Sequence, residues 1–246
     1  MNRETKSISD AVILMAGSGS RLAGSGSVVP KPLVPIGGRP LISYALNAFA
    51  KIGVRTIYPV LGANNDSLRK GLEHLVPAGT QLHPILNTAW QKQNGISLLS
   101  AAGKVRAPFF LAMGDHLFDS SILETLIAQA DLDRLNLAVD KKIDTIFDRD
   151  DAMKVQTEGD RVRGIGKDLR NYDAIDTGLF ICPEEIFDYL RRAKQNDDCS
   201  LADGVRLMAG DDKVCAIDIG DAWWQDVDTP QMLQHAEQAM PARHAS

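Results

Sequence analysis

Three stretches of this sequence hold residues that could handle phosphates or a metal ion. The first reads Leu14-Met-Ala-Gly-Ser-Gly-Ser-Arg-Leu22 and is followed by Pro30-Lys31-Pro32. A glycine-rich turn lets backbone N–H groups approach a phosphate closely. It is not a dinucleotide fingerprint, because Leu22 stands where the third glycine of G-x-G-x-x-G belongs, and no G-K-[ST] closes it as a Walker A loop. Two cations, Arg21 and Lys31, flank it instead and suit a triphosphate that must be held and then released. An ordinary βα turn with two surface cations explains the loop equally well. The second stretch is Phe109-Phe-Leu-Ala-Met-Gly-Asp115-His116. An aspartate at the carboxyl end of a strand sits where open α/β sheets bind ligands, and carboxylate oxygen suits a hard divalent cation. The competing reading is a loop cap. His116 has no H-x-E or H-E-x-x-H spacing around it. The third is Trp223-Trp-Gln-Asp226-Val-Asp228-Thr-Pro230. Alternate residues of an extended segment point the same way, so Asp226 and Asp228 share a face. Asp228 or Thr229 could equally cap a helix that Pro230 begins.

These residues need a scaffold. Apolar runs at 11–16 and 109–113 read as strands, as does 54–61, with a weaker one at 81–86 that Pro84 would confine to an edge. Helices are expected from Pro40 to about Gly53, from Asn65 to Leu75, and from Asn94 or Ser97 to about Val105. This alternation implies a largely parallel, layered sheet. Further on, 135–139 and 179–182 read as strands, and Lys154–Gln156 and Arg161–Ile165 flank a Glu-Gly-Asp turn as a hairpin. Helices follow from Pro183 and Ser200, extended segments at 214–219 and 223–226, and a closing helix at 231–240. With no repeat and no linker, residues 1–246 read as one α/β domain with a mixed, mostly parallel sheet flanked by helices. Its nucleotide half would span about 8–130 and its acceptor half about 131–240.

Composition narrows the function. The chain has 246 residues, 44% hydrophobic and 24% charged, with a formal net charge of −5. No Lys/Arg-rich run appears, which argues against nucleic acid as a partner. Cys182, Cys199 and Cys215 are widely spaced and form no C-x-x-C pair, so a reducing compartment is expected. No apolar signal core or membrane span is visible, and the expected location is the cytoplasm.

Together, the glycine loop with Arg21 and Lys31, the strand-terminal Gly114-Asp115 and the late Trp224-x-Asp226…Thr229-Pro230 segment resemble the sugar-nucleotide pyrophosphorylase type of nucleotidyltransferase, over nearly the whole chain. The resemblance implies a Rossmann-like, glycosyltransferase-A-like fold. Five stretches are similar to the inositol-1-phosphate cytidylyltransferases: Gly114-Asp-His116, Asp151-Ala-Met-Lys154-Val, Ile165-Gly-Lys167, Tyr172-Asp-Ala-Ile-Asp176-Thr177-Gly178 and Asp226-Val-Asp-Thr-Pro230. Asn94-Gly95-x-Ser97 resembles the base-recognition loop of related cytidylyltransferases, although Gln93 stands where they usually have glycine. Ser20 and Met153 stand where threonine is expected.

The resemblance implies attack by an acceptor phosphate on the α-phosphorus of CTP, with release of pyrophosphate. Asp115 and Asp226 would hold Mg²⁺, with Asp228 as a third candidate. Arg21 and Lys31 would meet the triphosphate, and Lys167 the acceptor phosphate. Ala16, Gly17, Ser18, Gly19, Asn94, Gly95 and Ser97 are the nucleotide candidates. Asp176 and Thr177, with His116 and Asp140, are the candidates for a polyol. Phosphocholine, 2-aminoethylphosphonate or a hexose 1-phosphate are alternative acceptors, and Trp90, Tyr172, Trp223 and Trp224 could cage a quaternary ammonium. A non-catalytic nucleotide-binding regulator is the alternative of another class. Some relatives are fused to a membrane-embedded enzyme that would use the product.

Overall fold

The computed structural model describes residues 8–17, 29–62 and 66–243, with side chains to residue 239. The first half contains β1 (Asp10–Met15), a 3-10 turn at Lys31–Leu33, a small hairpin of β2 (Pro35–Ile36) and β3 (Arg39–Pro40), and α1 (Leu41–Lys51). It continues with β4 (Thr56–Gly62), α2 (Asp66–Glu73), β5 (Gln81–Leu82), β6 (Ile85–Asn87), α3 (Asn94–Leu99), β7 (Phe109–Met113), β8 (His116–Phe118) and α4 (Ser121–Gln129). The second half holds β9 (Leu135–Asp140), β10 (Lys154–Glu158), β11 (Arg161–Gly166), β12 (Ala174–Cys182), α5 (Ile186–Ala193), α6 (Leu201–Gly210), β13 (Val214–Asp218), β14 (Trp224–Asp226) and α7 (Pro230–Arg243).

One sheet runs through the molecule in the order β10-β11-β13-β9-β12-β7-β1-β4-β5, with β6 also on β4. Every residue of β1 is buried, as a central strand covered on both faces requires. β1 runs parallel to β4 and β7, and β4 runs parallel to β5 and β6. The sheet changes character at β12, which lies antiparallel to both β7 and β9. The expected mixed sheet is therefore present, with its parallel part concentrated in the first half. Two apolar layers cover it. Phe109, Leu137, Phe187 and Met208 belong to one, and Ile13, Phe49, Phe110 and Leu126 to the other.

The expected elements mostly stand where apolar periodicity put them. Pro84 splits the weak strand into β5 and β6, both beside β4. Ser200 forms a capping box with Asp203 at the start of α6. Residues 117–134, for which the sequence signals no element, contain most of β8 and all of α4. Ile122, Leu123 and Leu126 of α4 are fully buried. β12 begins five residues before the expected Leu179, because polar Asp176 and Thr177 and left-handed Gly178 interrupt its apolar pattern.

Candidate active site

The site is built at the carboxyl ends of β1 and β7. Leu14 lies level with Met113, and the Gly114 N–H donates to the Leu14 carbonyl at 3.0 Å, extending the ladder by one residue. A side chain at 114 has no room: a Cβ there would lie 2.2 Å from Met15 Cγ and 3.1 Å from Leu14 O. Glycine thus lets the chain pass close over β1 and turn Asp115 out of the sheet. β8 then pairs antiparallel with β14, which places Asp226 opposite His116. The Val227 N–H closes the junction on the Asp115 carbonyl at 2.9 Å. Residues more than a hundred positions apart are thereby brought to one spot.

Asp115, His116, Asp176, Lys167, Asp226, Asp228 and Asn94 all line a single cavity of about 290 Å³. Lys31 reaches into the same cluster from the 3-10 turn. Its ammonium donates to Asp115 Oδ2 at 2.7 Å and to Asp228 Oδ1. His116 Nδ1 lies 2.7 Å from Asp115 Oδ1, and its ring stacks on Trp224 at 5.7 Å between centroids. Burial opposes charge on all three partners. It is outweighed at Asp115, where the His116 and Lys31 contacts hold the carboxyl well below its ordinary range. His116 is pulled up despite burial by the Asp115 hydrogen bond and charge, with help from Asp226. Lys31 is likewise raised by Asp115 and Asp228 against the effect of burial.

Asp226 behaves differently. Burial raises its pKa, and the negative charges of Asp228 and Asp115 add to the shift while His116 opposes it. Crowded carboxylates of this kind are what a bound cation relieves, and their oxygens are the donor type Mg²⁺ prefers. Among the described residues no three His, Cys, Asp or Glu groups form a metal cage. A Mg²⁺ here would take one or two protein carboxylates and complete its shell with phosphate oxygens and water.

The end of the ribbon resolves the two readings of Asp228 and Thr229. The Thr229 hydroxyl caps α7, accepting from the Met232 N–H at 3.2 Å, while Asp228 pairs with Lys31. On the other side, Gly178 (φ +74°) leaves no room for a side chain, since its Cβ would lie 2.8 Å from His116 Nε2. The Gly178 N–H donates to Asp176 Oδ1 at 2.7 Å. Lys167, at the end of β11, meets Asp151 at 2.5 Å across the cavity mouth.

Several sequence candidates face elsewhere. Thr177 is fully buried and its hydroxyl donates to the Ala138 carbonyl at 2.8 Å. Asp140 is buried and lines a neighbouring cavity, accepting from Trp224 Nε1 at 3.1 Å and from the Lys142 N–H at 2.7 Å. Ser97 is buried and accepts from Asn87 Nδ2 at 3.0 Å. Asn94, by contrast, stays in the cavity lining while its Oδ1 accepts from the Leu201 N–H at 2.8 Å. Ala16 and Gly17 follow β1 as expected, one buried and the other exposed. Ser18, Gly19 and Arg21 lie outside the described residues. Sequence reasoning missed Trp224 as the ring under His116, the start of α6 (Ser200–Ala202) as cavity wall, and Asp151 as partner of Lys167. Asp151 closes an acid-rich stretch that reads as a solvated loop, so only its place as the first residue of the resembling Asp151-Ala-Met-Lys154-Val stretch could have signalled it.

Asp176 offers a test of the site's electrostatics. Burial pushes its carboxyl up to about 6, with the Gly178 N–H and His116 opposing. Folding therefore favours its protonated form. The cost of ionising it is absent below about pH 4, grows between about pH 4 and 6, and is complete above that. Asp176→Asn keeps the acceptor for Gly178 and removes the charge. In urea unfolding at pH 7.5 it is expected to be more stable than wild type by about 1–3 kcal/mol, the upper figure being reduced by partial exposure. The two proteins should converge at pH 4. A gap that is the same at both pH values would contradict burial as the cause.

Known proteins resemble this chain over most of its length. The family described as "MobA-like NTP transferase domain" matches residues 11–197. The chain is 30% identical over 233 residues to the bifunctional IPC transferase and DIPP synthase of Aquifex aeolicus, covering 94% of this chain and 51% of that protein. It thus spans about half the length of that relative. It is 35% identical over 121 residues to the CMP-5'-(3-aminopropyl)phosphonate synthase of Streptomyces rubellomurinus, covering 48% of this chain and 19% of that protein. Among solved structures it matches the inositol-1-phosphate CTP transferase from T. maritima with a TM-score of 0.82 and 24% identity, over 95% of this chain and 98% of that one. At that identity the structural match speaks for the fold.

Proposed function

The chain belongs to the MobA-like NTP transferase domain family, and on that footing we propose that it transfers CMP from CTP to inositol 1-phosphate, giving CDP-inositol and pyrophosphate. One observation carries this reading: Asp115 and Asp226 come from distant segments to one cavity that also holds Lys167 and Asp176. The similarity to the bifunctional IPC transferases supports the choice of substrates.

The chemistry needs little from the protein except placement and charge. A phosphate monoester has a second pKa of about 6, so the acceptor is already a dianionic nucleophile near pH 7. Its oxygen attacks the α-phosphorus; the bond from that phosphorus to the bridging oxygen breaks, and pyrophosphate leaves. The barrier is chiefly repulsion between anions and their alignment. Lys31 and Arg21 meet the triphosphate and the departing pyrophosphate. Lys167 meets the acceptor phosphate, and Asp176 accepts from neighbouring hydroxyls of the polyol. Nucleotidyltransferases of this kind generally use a divalent metal, and Mg²⁺ held by Asp115 and Asp226 would supply charge to the reacting phosphates. The nucleotide half is assigned to about 8–130 and the acceptor half to about 131–240 of one domain. Among the described residues no helix is long and apolar enough to cross a membrane.

The base preference tests the nucleotide assignment. Cytosine offers an amine donor where uracil offers an acceptor, and each mismatched buried group costs about 1–3 kcal/mol, or roughly tenfold to a hundredfold. Pyrophosphate release with CTP should exceed that with UTP by that factor, and equal rates would contradict a CTP-reading site. A phosphonate acceptor is the second reading, favoured by the similarity to the aminopropylphosphonate enzyme. Faster use of 2-aminoethylphosphonate than of inositol 1-phosphate would select it.

A further inference from the structure

Helix α3 carries Asn94 and Ser97, and its own N-cap residue, Gln93, supplies no side-chain cap. It is only six residues long. In a capping box the third helical residue returns a carboxylate or amide to the N-cap N–H, but here that residue is Ile96. The missing acceptor comes from the other half of the chain. Asp198 Oδ1 accepts from the Gln93 N–H at 3.0 Å.

Asp198 is itself held in a tight turn. Gln195 and Asp198 exchange backbone hydrogen bonds of 2.8 and 3.0 Å, and the two residues between them, Asn196 (φ 51°) and Asp197 (φ 60°), are both left-handed. Positive φ at both central positions is the signature of a type I′ turn, and Asn and Asp tolerate it best among side-chain-bearing residues. The same turn takes Lys92 Nζ on the Asp197 carbonyl at 2.8 Å. Three residues on, the Leu201 N–H donates to Asn94 Oδ1 at 2.8 Å. Gly95 completes the seam: a Cβ there would lie 2.6 Å from Cys199 O and 2.8 Å from Ser200 O. Segment 92–95 is therefore fixed against segment 197–201 at four successive positions, on the rim of the cavity that Asn94, Ser200 and Leu201 line.

We infer that Asp198 is a positioning residue for the nucleotide: by capping α3 from the acceptor half, it sets the turn that meets the base. The inference rests on the reading of 94–97 as the base-binding stretch. It also explains why Gly95 must be glycine, since any side chain would force the seam apart.

The test measures CTP affinity by calorimetry, and KM and kcat by pyrophosphate release with inositol 1-phosphate, for the full chain. Asp198→Ala is expected to weaken CTP binding and raise its KM about tenfold, with kcat at saturating CTP within about twofold of wild type. Asp198→Asn retains an acceptor for the Gln93 N–H and should restore wild-type affinity. Gly95→Ala should weaken CTP binding in the same direction, which keeps the test open if Asp198→Ala does not fold. CTP affinity unchanged in Asp198→Ala, or equally impaired in Asp198→Asn, overturns the positioning role while leaving the proposed reaction intact. Failure of the wild-type protein to bind CTP overturns both.

Discussion

Asp226→Asn is expected to leave the protein at least as stable as wild type at neutral pH and to lower turnover by about two to four orders of magnitude. The two effects have one origin. Burial disfavours the Asp226 charge, and Asp228 and Asp115 add repulsion, so the ionised carboxylate is held at a cost in the fold. Because folding raises its pKa, that cost is present above the folded pKa and disappears as pH falls below about 4. Asparagine removes the charge with almost no change of shape, and with it the means of drawing a cation to the reacting phosphates. Asp115→Asn should lose activity to the same degree but with the opposite effect on stability. Asp115 accepts from Lys31 on one oxygen and from His116 on the other, so an amide NH₂ must face one of those donors. Its stabilising contribution is complete at neutral pH and is lost on acidification through its lowered pKa. Urea unfolding at pH 7.5 with a pyrophosphate-release assay separates the pair. Full activity in either variant, or in wild type treated with EDTA, would remove these two carboxylates from the account.

Lys31→Met should be damaging in two ways. Its ammonium neutralises Asp115 and Asp228 in a setting where the lysine side chain is only 10% exposed. Removing it leaves two carboxylates facing each other, which should cost about 2–4 kcal/mol, reduced toward the lower end by the partial exposure of Asp115. Turnover should fall by about a hundredfold or more, because a cation assigned to the triphosphate is lost. Lys31→Arg keeps the charge and should recover much of the stability. An Arg variant as unstable as the Met variant would show that packing of the stem, rather than charge, is what Lys31 supplies.

The parallel half of the fold could be read directly from the chain. The runs 11–16 and 109–113 are apolar along their length because central strands are covered on both faces, and they map onto β1 and β7, while 54–61, polar at Arg55 and Thr56, becomes apolar toward Leu61 and maps onto β4. Gly114-Asp115 marked the strand end because the glycine is sterically required there. β12 was only half legible. The bend at Asp176–Gly178 that turns a carboxylate into the cavity also breaks the apolar pattern that marks a strand. The pairing of His116 with Asp226 was invisible, since no local pattern encodes a ribbon between residues so far apart. For the same reason Asn94 and Ser97 could be named while their bonds to Leu201 and Asn87 could not. Asp140 and Thr177 had the right chemistry for a polyol, yet the strands that carry them turn both side chains toward hydrogen bonds inside the protein. Sequence indicated which residue types are available, and topology decided which of them share a cavity.

The central claim is that this chain makes a CMP–phosphate bond on a polyol phosphate. Phosphorus NMR of the purified protein with CTP, inositol 1-phosphate and Mg²⁺ tests it most directly. The account predicts that the three CTP resonances and the phosphomonoester resonance decline together. In their place, free pyrophosphate and a coupled pair from an unsymmetrical diphosphate should appear in equal amounts, with no reaction when the acceptor is omitted. CTP left unchanged, or CTP converted to CMP and pyrophosphate while inositol 1-phosphate persists, would contradict it.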